Sequence, residues 1–199
     1  MPKQIRDEQR RQDLVEAARR LVAAHGLRAT TLRAVAAEAG VTTGAVTHYF
    51  EDKGAVLDAV LRHNNALALA RTEKAVGRLR GLTAAHRHAL ALLPTGAEGM
   101  AIWRVWLAFW VEADAPSGLT TGWDEWRRSL GALLAQAVAD GELPGTTDLR
   151  YEAERIGTLI AGIGLVYGTA RTSRQGPSRR GKRLLDDHFT ALTAMAPAP

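Results

Sequence analysis

Apolar residues recur at intervals of three and four along almost the whole chain, which is the spacing of one face of an α-helix. In the first such segment, from about residue 6 to residue 25, the apolar face consists of Leu14, Val15, Ala18, Leu21 and Val22. Strict alternation of apolar and polar positions, which marks a half-buried strand, forms no long run. The pattern therefore predicts an all-α fold of about nine helices.

Glycine and threonine residues divide the first part of the chain into three helices. Gly26 directly follows the first apolar segment, where glycine readily takes the left-handed conformation that ends a helix. The threonines at 30–31 are suited to cap a second, short helix, and those at 42–43 a third helix that ends near Tyr49. Three helices in this order are typical of a helix-turn-helix unit.

The residues around the turn strengthen that prediction. Ala36 is small enough for two helices to cross closely, Gly40 permits a sharp bend, and Val46 can be buried under the third helix. The exposed side of the third helix would carry small or polar residues, namely Thr42, Thr43, Gly44, Thr47 and His48. Such side chains can approach phosphates and base edges without steric conflict, so a DNA-recognition helix is expected here.

The net charge of the chain is compatible with a polyanionic partner but does not by itself indicate one. Lys and Arg number 26 against 21 Asp and Glu, which gives a formal charge of +5. This excess is modest for a protein that binds nucleic acid. The prediction of DNA binding therefore rests on the helix-turn-helix residues rather than on net charge.

The segment from Thr31 through Ala39-Gly40-Val41-Thr42-Thr43-Gly44-Ala45-Val46-Thr47-His48-Tyr49-Phe50-Glu51-Asp52-Lys53 resembles the TetR family of transcriptional repressors. The resemblance covers residues 10–57 and continues beyond them only as architecture. It implies a DNA-binding domain at residues 1–52 and a ligand-binding and dimerisation domain at 53–199. It also implies that the partners are double-stranded operator DNA and a small-molecule effector.

The resemblance assigns roles to individual positions. Those that match family residues meeting phosphate or sugar are Thr31, Thr43, His48, Tyr49 and Lys53. The candidates for base edges are Thr42, Gly44 and Thr47. Many relatives have a tyrosine where this chain has Thr47, so the resemblance implies a different half-site preference.

All five tryptophans lie in one short part of the second domain, at Trp103, Trp106, Trp110, Trp123 and Trp126. One interpretation is an aromatic core, and the other is a ligand cavity lined by indole rings. Such rings can hold a quaternary ammonium by cation–π attraction, but flat aromatic molecules would fit equally well. The segment Trp103–Trp110 also resembles the choline-responsive, betaine-pathway subgroup of the family.

The remaining segments are helical in pattern except for one basic stretch. A helix from Tyr151 to about Arg171 is rich in glycine, and a final helix begins near Leu184. The family resemblance implies that these last two helices form the interface of a homodimer. The basic stretch at 171–183 is predicted to be a solvated loop, and the tail after Met195 to be disordered.

Several classes of function are excluded or disfavoured. The chain has no cysteine, no Gly-x-Ser-x-Gly elbow, no His-Glu-x-x-His pair and no phosphate loop, so no catalytic residue, cofactor or metal site is expected. His86 and His88 lie on diverging faces of a helix and are poorly placed to share a metal. No apolar run is long enough to span a membrane, and the charged residues 1–12 do not form a secretory signal, so a cytoplasmic location is expected.

The sequence thus predicts a repressor that binds a pseudo-palindromic operator as a dimer and is released by a small molecule. Its two recognition helices would enter successive major grooves. The alternative is a helical ligand-binding or architectural DNA-binding protein that does not regulate a particular promoter. A footprint over one short palindrome, lost on adding ligand, would distinguish the two.

Overall fold

The computed structural model describes residues 3–111, 117–168 and 179–195, and within them it contains nine α-helices and no strand. The helices are α1 (Lys3–Ala29), α2 (Leu32–Ala39), α3 (Thr43–Thr47), α4 (Lys53–Val76), α5 (Gly81–Ala91), α6 (Gly96–Trp110), α7 (Ser117–Ala139), α8 (Leu149–Gly168) and α9 (Arg179–Thr193). The predicted all-α fold is confirmed. None of these helices is both long enough and apolar enough to cross a membrane.

Several helices begin earlier than the apolar pattern predicts. α1 begins at Lys3 rather than near residue 6. The apolar pattern also predicts one helix from Met100 and another from Trp123, and these are α6 and α7, which begin at Gly96 and Ser117. In α6 the first residues, at 96–98, are exposed. A solvated first turn carries no apolar residue facing the core, so periodicity alone does not reveal it.

The prediction of a loop at 171–183 is wrong for residues 179–183, because α9 begins at Arg179. Gly181 lies buried beneath Ile163 and Tyr167, which anchors the first turn of the helix. Its basic neighbours stay on the solvated face, where Lys182 pairs with Asp186 at 3.3 Å. Residues 171–178 and the tail after Met195 lie outside the described residues.

The chain divides into two compact units, and the boundaries fall inside α4, α6 and α7. The first unit comprises residues 1–66 and 104–120, and the second comprises residues 67–103 and 121–199. In the first unit α2 packs on both α1 and α3. In the second unit α5, α8 and α9 pack on one another.

The second unit is held by close contacts between segments far apart in sequence. The Trp103 ring is fully buried and occupies the space that a side chain at Gly164 would need. Its indole Nε1 donates to the Leu92 carbonyl at 2.6 Å. At the start of α5, the Leu82 amide donates to the Glu142 carboxylate at 2.5 Å, which supplies the cap that the preceding Arg80 does not provide.

Candidate nucleic-acid interface and ligand site

The turn between α2 and α3 has the geometry that the sequence predicts. Gly40 takes a left-handed conformation, with φ of 67° and ψ of 32°. The Val41 amide donates to the Ala36 carbonyl at 2.9 Å, so the end of α2 closes on itself. Any residue with a Cβ would be strained at position 40, which explains why glycine stands there.

The short helix α3 is held in place by its caps and by one buried face. The Thr42 hydroxyl accepts from the Ala45 amide at 3.2 Å, and the Thr47 hydroxyl donates to the Gly44 carbonyl at 3.1 Å. Val46 is fully buried. Phe50, just after the helix, is also buried, and the guanidinium of Arg11 lies 5.2 Å from the centre of its ring.

The opposite side of α3 is open to solvent. The exposed residues are Thr42, Thr43, Gly44, Thr47 and His48, and Tyr49 is half-buried. The rings of His48 and Tyr49 meet edge to face, with centroids 4.9 Å apart. These predicted contact residues therefore form one small, polar and accessible surface.

The two remaining candidates flank this surface in sequence. Thr31 is exposed and caps α2, since its hydroxyl accepts from the Ala34 amide at 3.1 Å. Lys53 is the first residue of α4, and its Nζ lies 3.5 Å from the Arg28 carbonyl. Asp52 caps the same helix by accepting from the Ala55 amide at 2.8 Å.

An ion-pair network joins α1 to α4 within the first unit. Glu16 accepts from Arg19 at 2.8 Å and lies 3.2 Å from Nε2 of His63. Burial alone would raise the pKa of Glu16, but the hydrogen bonds and charges of Arg19 and His63 hold that pKa below its ordinary value. Sequence reasoning missed this contact, because the partners lie on different helices and show no motif.

The structure assigns the tryptophans to different surroundings. Trp106 and Trp110 belong to the first unit, where Trp106 Nε1 donates to Asn65 Oδ1 at 2.9 Å. Trp103, Trp123 and Trp126 belong to the second unit. The role of each in ligand binding stays a prediction.

Trp123 and Trp126 form a stacked pair, with ring centroids 5.3 Å apart and planes inclined by 21°. Gly157 on α8 lies against both rings. The His88 ring lies 5.4 Å from that of Trp126. We call these residues, His88, Trp123, Trp126 and Gly157, the indole cluster.

His88 differs from its neighbour His86. Burial lowers the pKa of His88 to about 4, so its imidazole is neutral at neutral pH. His86 faces elsewhere, with Nε2 2.9 Å from the Asp186 carboxylate, which confirms that the two histidines diverge. Sequence reasoning considered His88 only as a metal ligand. Its helical register with Ala84, Ala85 and Leu92, all buried, was the signal that places it in the core.

Two surface clefts lie elsewhere in the second unit. The larger, of about 500 Å³, lies between α7 and α8 and is lined by charged side chains that include Arg127, Arg128, Arg150 and Glu154. The smaller, of about 230 Å³, lies between α5 and α9 and includes His86 and Phe189. No tryptophan lines either of these two clefts.

A capped short helix with a polar outer face, on a helix-turn-helix of three packed helices, defines a DNA-binding transcription regulator. The family model for bacterial regulatory proteins of the tetR family matches residues 14–60, and that for the C-terminal part of BetI-type transcriptional repressors matches residues 82–194. The chain belongs to the TetR family of transcriptional repressors, with a second part of the BetI type. It is a regulator and not an enzyme.

Two relatives are similar to this chain over almost its full length. The HTH-type transcriptional regulator BetI of Burkholderia lata is 36% identical, over 98% of this chain and 99% of the relative. BetI of Paraburkholderia phymatum is 30% identical over 100% of both chains. TetR regulators bind operator DNA and small-molecule effectors and act as dimers.

Solved structures share the fold. A transcriptional regulator from Saccharomonospora viridis, solved in complex with choline, superposes with a TM-score of 0.80 at 23% identity, over 92% of this chain and 96% of that one. A TetR-family regulator from Rhodococcus sp. gives 0.79 at 20% identity, over 94% and 99% of the two chains. At this identity the likeness concerns the fold.

Proposed function

We propose that this repressor reads its operator with the exposed face of α3. The supporting observation is that α3 turns its apolar Val46 into the core while every residue on its outer face is small or polar. Thr42, Gly44 and Thr47 face base edges in this proposal. The Thr42 hydroxyl already accepts a capping bond, but it retains its hydrogen for donation to a base acceptor.

The other contact residues hold the DNA backbone. Thr31, Thr43, His48, Tyr49 and Lys53 contact phosphate or sugar from the starts of α2, α3 and α4 and the end of α3. Lys53 adds a positive charge at the first position of α4. Contacts of this kind set the orientation of the recognition helix without selecting a sequence.

We propose residues 1–52 as the DNA-binding domain and 53–199 as the effector-binding and dimerisation domain. The effector in this proposal is a small cation of the choline type. The support is the stacked indole pair, Trp123 and Trp126, whose faces attract quaternary ammonium groups, together with the choline bound by the similarly folded regulator. Trp103, Trp106 and Trp110 stay predicted ligand residues.

The homodimer forms through α8 and α9 in this proposal, and the protein acts in the cytoplasm, where its DNA is. Large apolar side chains on these helices are exposed in the single chain, namely Leu165, Val166 and Leu184. A second copy would remove them from water. Val166→Glu should shift the protein toward monomer in analytical ultracentrifugation, and an unchanged dimer would place the interface elsewhere.

A footprint on the DNA next to the gene tests the whole proposal. Protection should cover one pseudo-palindrome with half-sites about 10 base pairs apart or a multiple of that. Choline should abolish the protection, because an effector that binds the non-binding conformer more tightly shifts the population toward it. Diffuse protection that ignores choline would favour an architectural DNA-binding protein.

Thr47→Tyr tests the assignment of Thr47 to base edges. The larger ring changes the surface that meets the groove, so selection from random DNA should return a different preferred half-site. The wild-type protein, selected in parallel, is the control. The same half-site from both proteins would remove Thr47 from the base-reading set.

A further inference from the structure

Polar atoms inside the indole cluster have no hydrogen-bond partner among the described residues. They are Nδ1 and Nε2 of His88 and Nε1 of Trp126. Both side chains are buried, with exposed fractions of 1% and 4%. The other buried indoles differ, since Trp103 donates to the Leu92 carbonyl and Trp106 to Asn65. Buried polar groups in folded proteins nearly always have a partner, so these atoms indicate a site that something else completes.

The chemistry of the two side chains limits what that partner can be. An indole N–H only donates, so Trp126 needs an acceptor. The neutral imidazole of His88 donates through one nitrogen and accepts through the other. A hydroxyl group can accept from one side chain and donate to the other. A carboxylate can only accept, and it would bring a negative charge beside a histidine that burial keeps neutral.

We propose that His88 and Trp126 bind the hydroxyl group of the effector, so that the effector is a small alcohol. The Trp123 ring contacts the rest of the molecule, and Gly157 leaves this ring and that of Trp126 in close contact with α8. This inference rests on the proposed role of residues 53–199 as the effector-binding domain. It adds hydrogen-bonding selectivity to a site that aromatic faces alone would leave open to any cation.

Indole N–H signals in a proton–nitrogen NMR spectrum of the full chain test the proposal. The chain has five tryptophans and so gives five such signals, and Trp126→Phe identifies its own by deletion. Choline should shift the Trp126 signal. Ethyltrimethylammonium has the same charge without the hydroxyl, so it should bind about tenfold more weakly and leave that signal nearly unmoved.

Substitution at His88 provides an independent readout. His88→Leu should weaken choline binding about tenfold and leave ethyltrimethylammonium binding unchanged, which erases the preference. It should not lower the melting temperature, because it removes buried polar atoms that lack partners. His86→Gln on the same helix is the matched control, and it should keep the preference for choline.

The neutral isostere 3,3-dimethylbutan-1-ol separates this proposal from the proposed function. If choline does not bind but the neutral alcohol shifts the Trp126 signal, hydroxyl recognition is supported and the cationic effector is refuted. If choline shifts the signal without releasing operator DNA, the site is supported and its regulatory role is refuted. If neither compound moves the Trp126 signal, or His88→Leu keeps the preference for choline, the proposal is wrong and His88 is a core residue completed by ordered water.

Discussion

The candidate DNA interface and the indole cluster are built in opposite ways. The DNA-binding candidates all lie in one segment, from Thr31 to Lys53, and local caps fix the backbone of that segment. The indole cluster is collected from α5, α7 and α8 and is largely buried. The structure of the DNA interface depends on residues that are near one another in sequence. The structure of the indole cluster depends on how helices distant in sequence pack. The same kind of substitution should therefore have different consequences in the two places.

The largest expected effect is on packing in the second unit. Gly164→Ala would place a methyl group inside the space occupied by the fully buried Trp103 ring. We expect the free energy of unfolding to fall by about 3 kcal/mol, as overpacking of a close-packed core requires. Urea denaturation measures this change.

Gly131→Ala on α7 is the matched control, since no atom beyond the local backbone of α7 lies within 4 Å of the Cβ it would add. It should stabilise the helix slightly, because alanine is favoured over glycine there by up to about 1 kcal/mol. Equal stability of the two variants would mean that Trp103 can move aside. The second unit would then be less tightly packed than the contact with Gly164 indicates.

The next prediction concerns the pH dependence of stability that His88 of the indole cluster contributes. The ordinary pKa of a histidine side chain is 6.5, and burial lowers the pKa of His88 to about 4 in the folded chain. Between these values the unfolded chain binds a proton that the folded chain does not. The free energy of unfolding should therefore decrease as the pH falls from 6.5 to 4, by up to about 3 kcal/mol from this group.

His88→Leu should flatten that part of the stability curve relative to the wild type, as measured by denaturant titration at each pH. The carboxylates Glu16 and Glu152 also have lowered pKa values, each held down by ion-pair partners against the effect of burial. Their contribution is lost at lower pH, below their ordinary value of 4.5, and is common to both proteins. Parallel curves above that pH would show that His88 titrates normally.

Gly44→Ala makes the same substitution in the candidate DNA interface. It should lower operator affinity and leave the free energy of unfolding unreduced, which is the reverse of the effect on packing. The nearest atom to the added methyl is the Thr42 hydroxyl at 3.8 Å, an ordinary contact, so stability should not fall. The methyl would face the DNA, and operator affinity should drop about tenfold, as for the loss of one good base contact. Fluorescence anisotropy with labelled operator measures it. Unchanged affinity would remove Gly44 from the interface.

The smallest effect concerns the DNA backbone. Lys53→Ala should weaken binding to operator and to random DNA by the same factor. The slope of log affinity against log salt should become shallower by about one, because one phosphate contact is lost. Lys74, near the end of the same helix, supplies the control Lys74→Ala. A larger loss on operator than on random DNA would show that Lys53 takes part in reading sequence.

The sequence predicts the local structure of the candidate DNA interface well because its determinants are local. The left-handed Gly40, the Thr31 and Thr42 caps and the buried Val46 each follow from a residue and its near neighbours. The sequence predicts the caps only to within a pair of threonines, and the structure selects Thr31 and Thr42. Their contacts with DNA stay predictions, since they depend on a second molecule.

The indole cluster could not be predicted in the same way. Tryptophan spacing on α6 indicates an aromatic region but not that Trp103 is bonded to Leu92 while Trp126 lacks a partner. His88 enters the cluster only because α5 and α7 come together. Tertiary packing decides which polar atom is satisfied, and no short sequence pattern encodes it.

The contact between Trp103 and Gly164 also has a consequence for how the chain folds. The ring and the glycine are far apart in sequence, so their contact requires α6 and α8 to be formed and docked. Contacts of long sequence separation form late, because a large loop must close first. Trp103 fluorescence should therefore lag behind helix formation during refolding and report the moment at which the second unit acquires its fixed core.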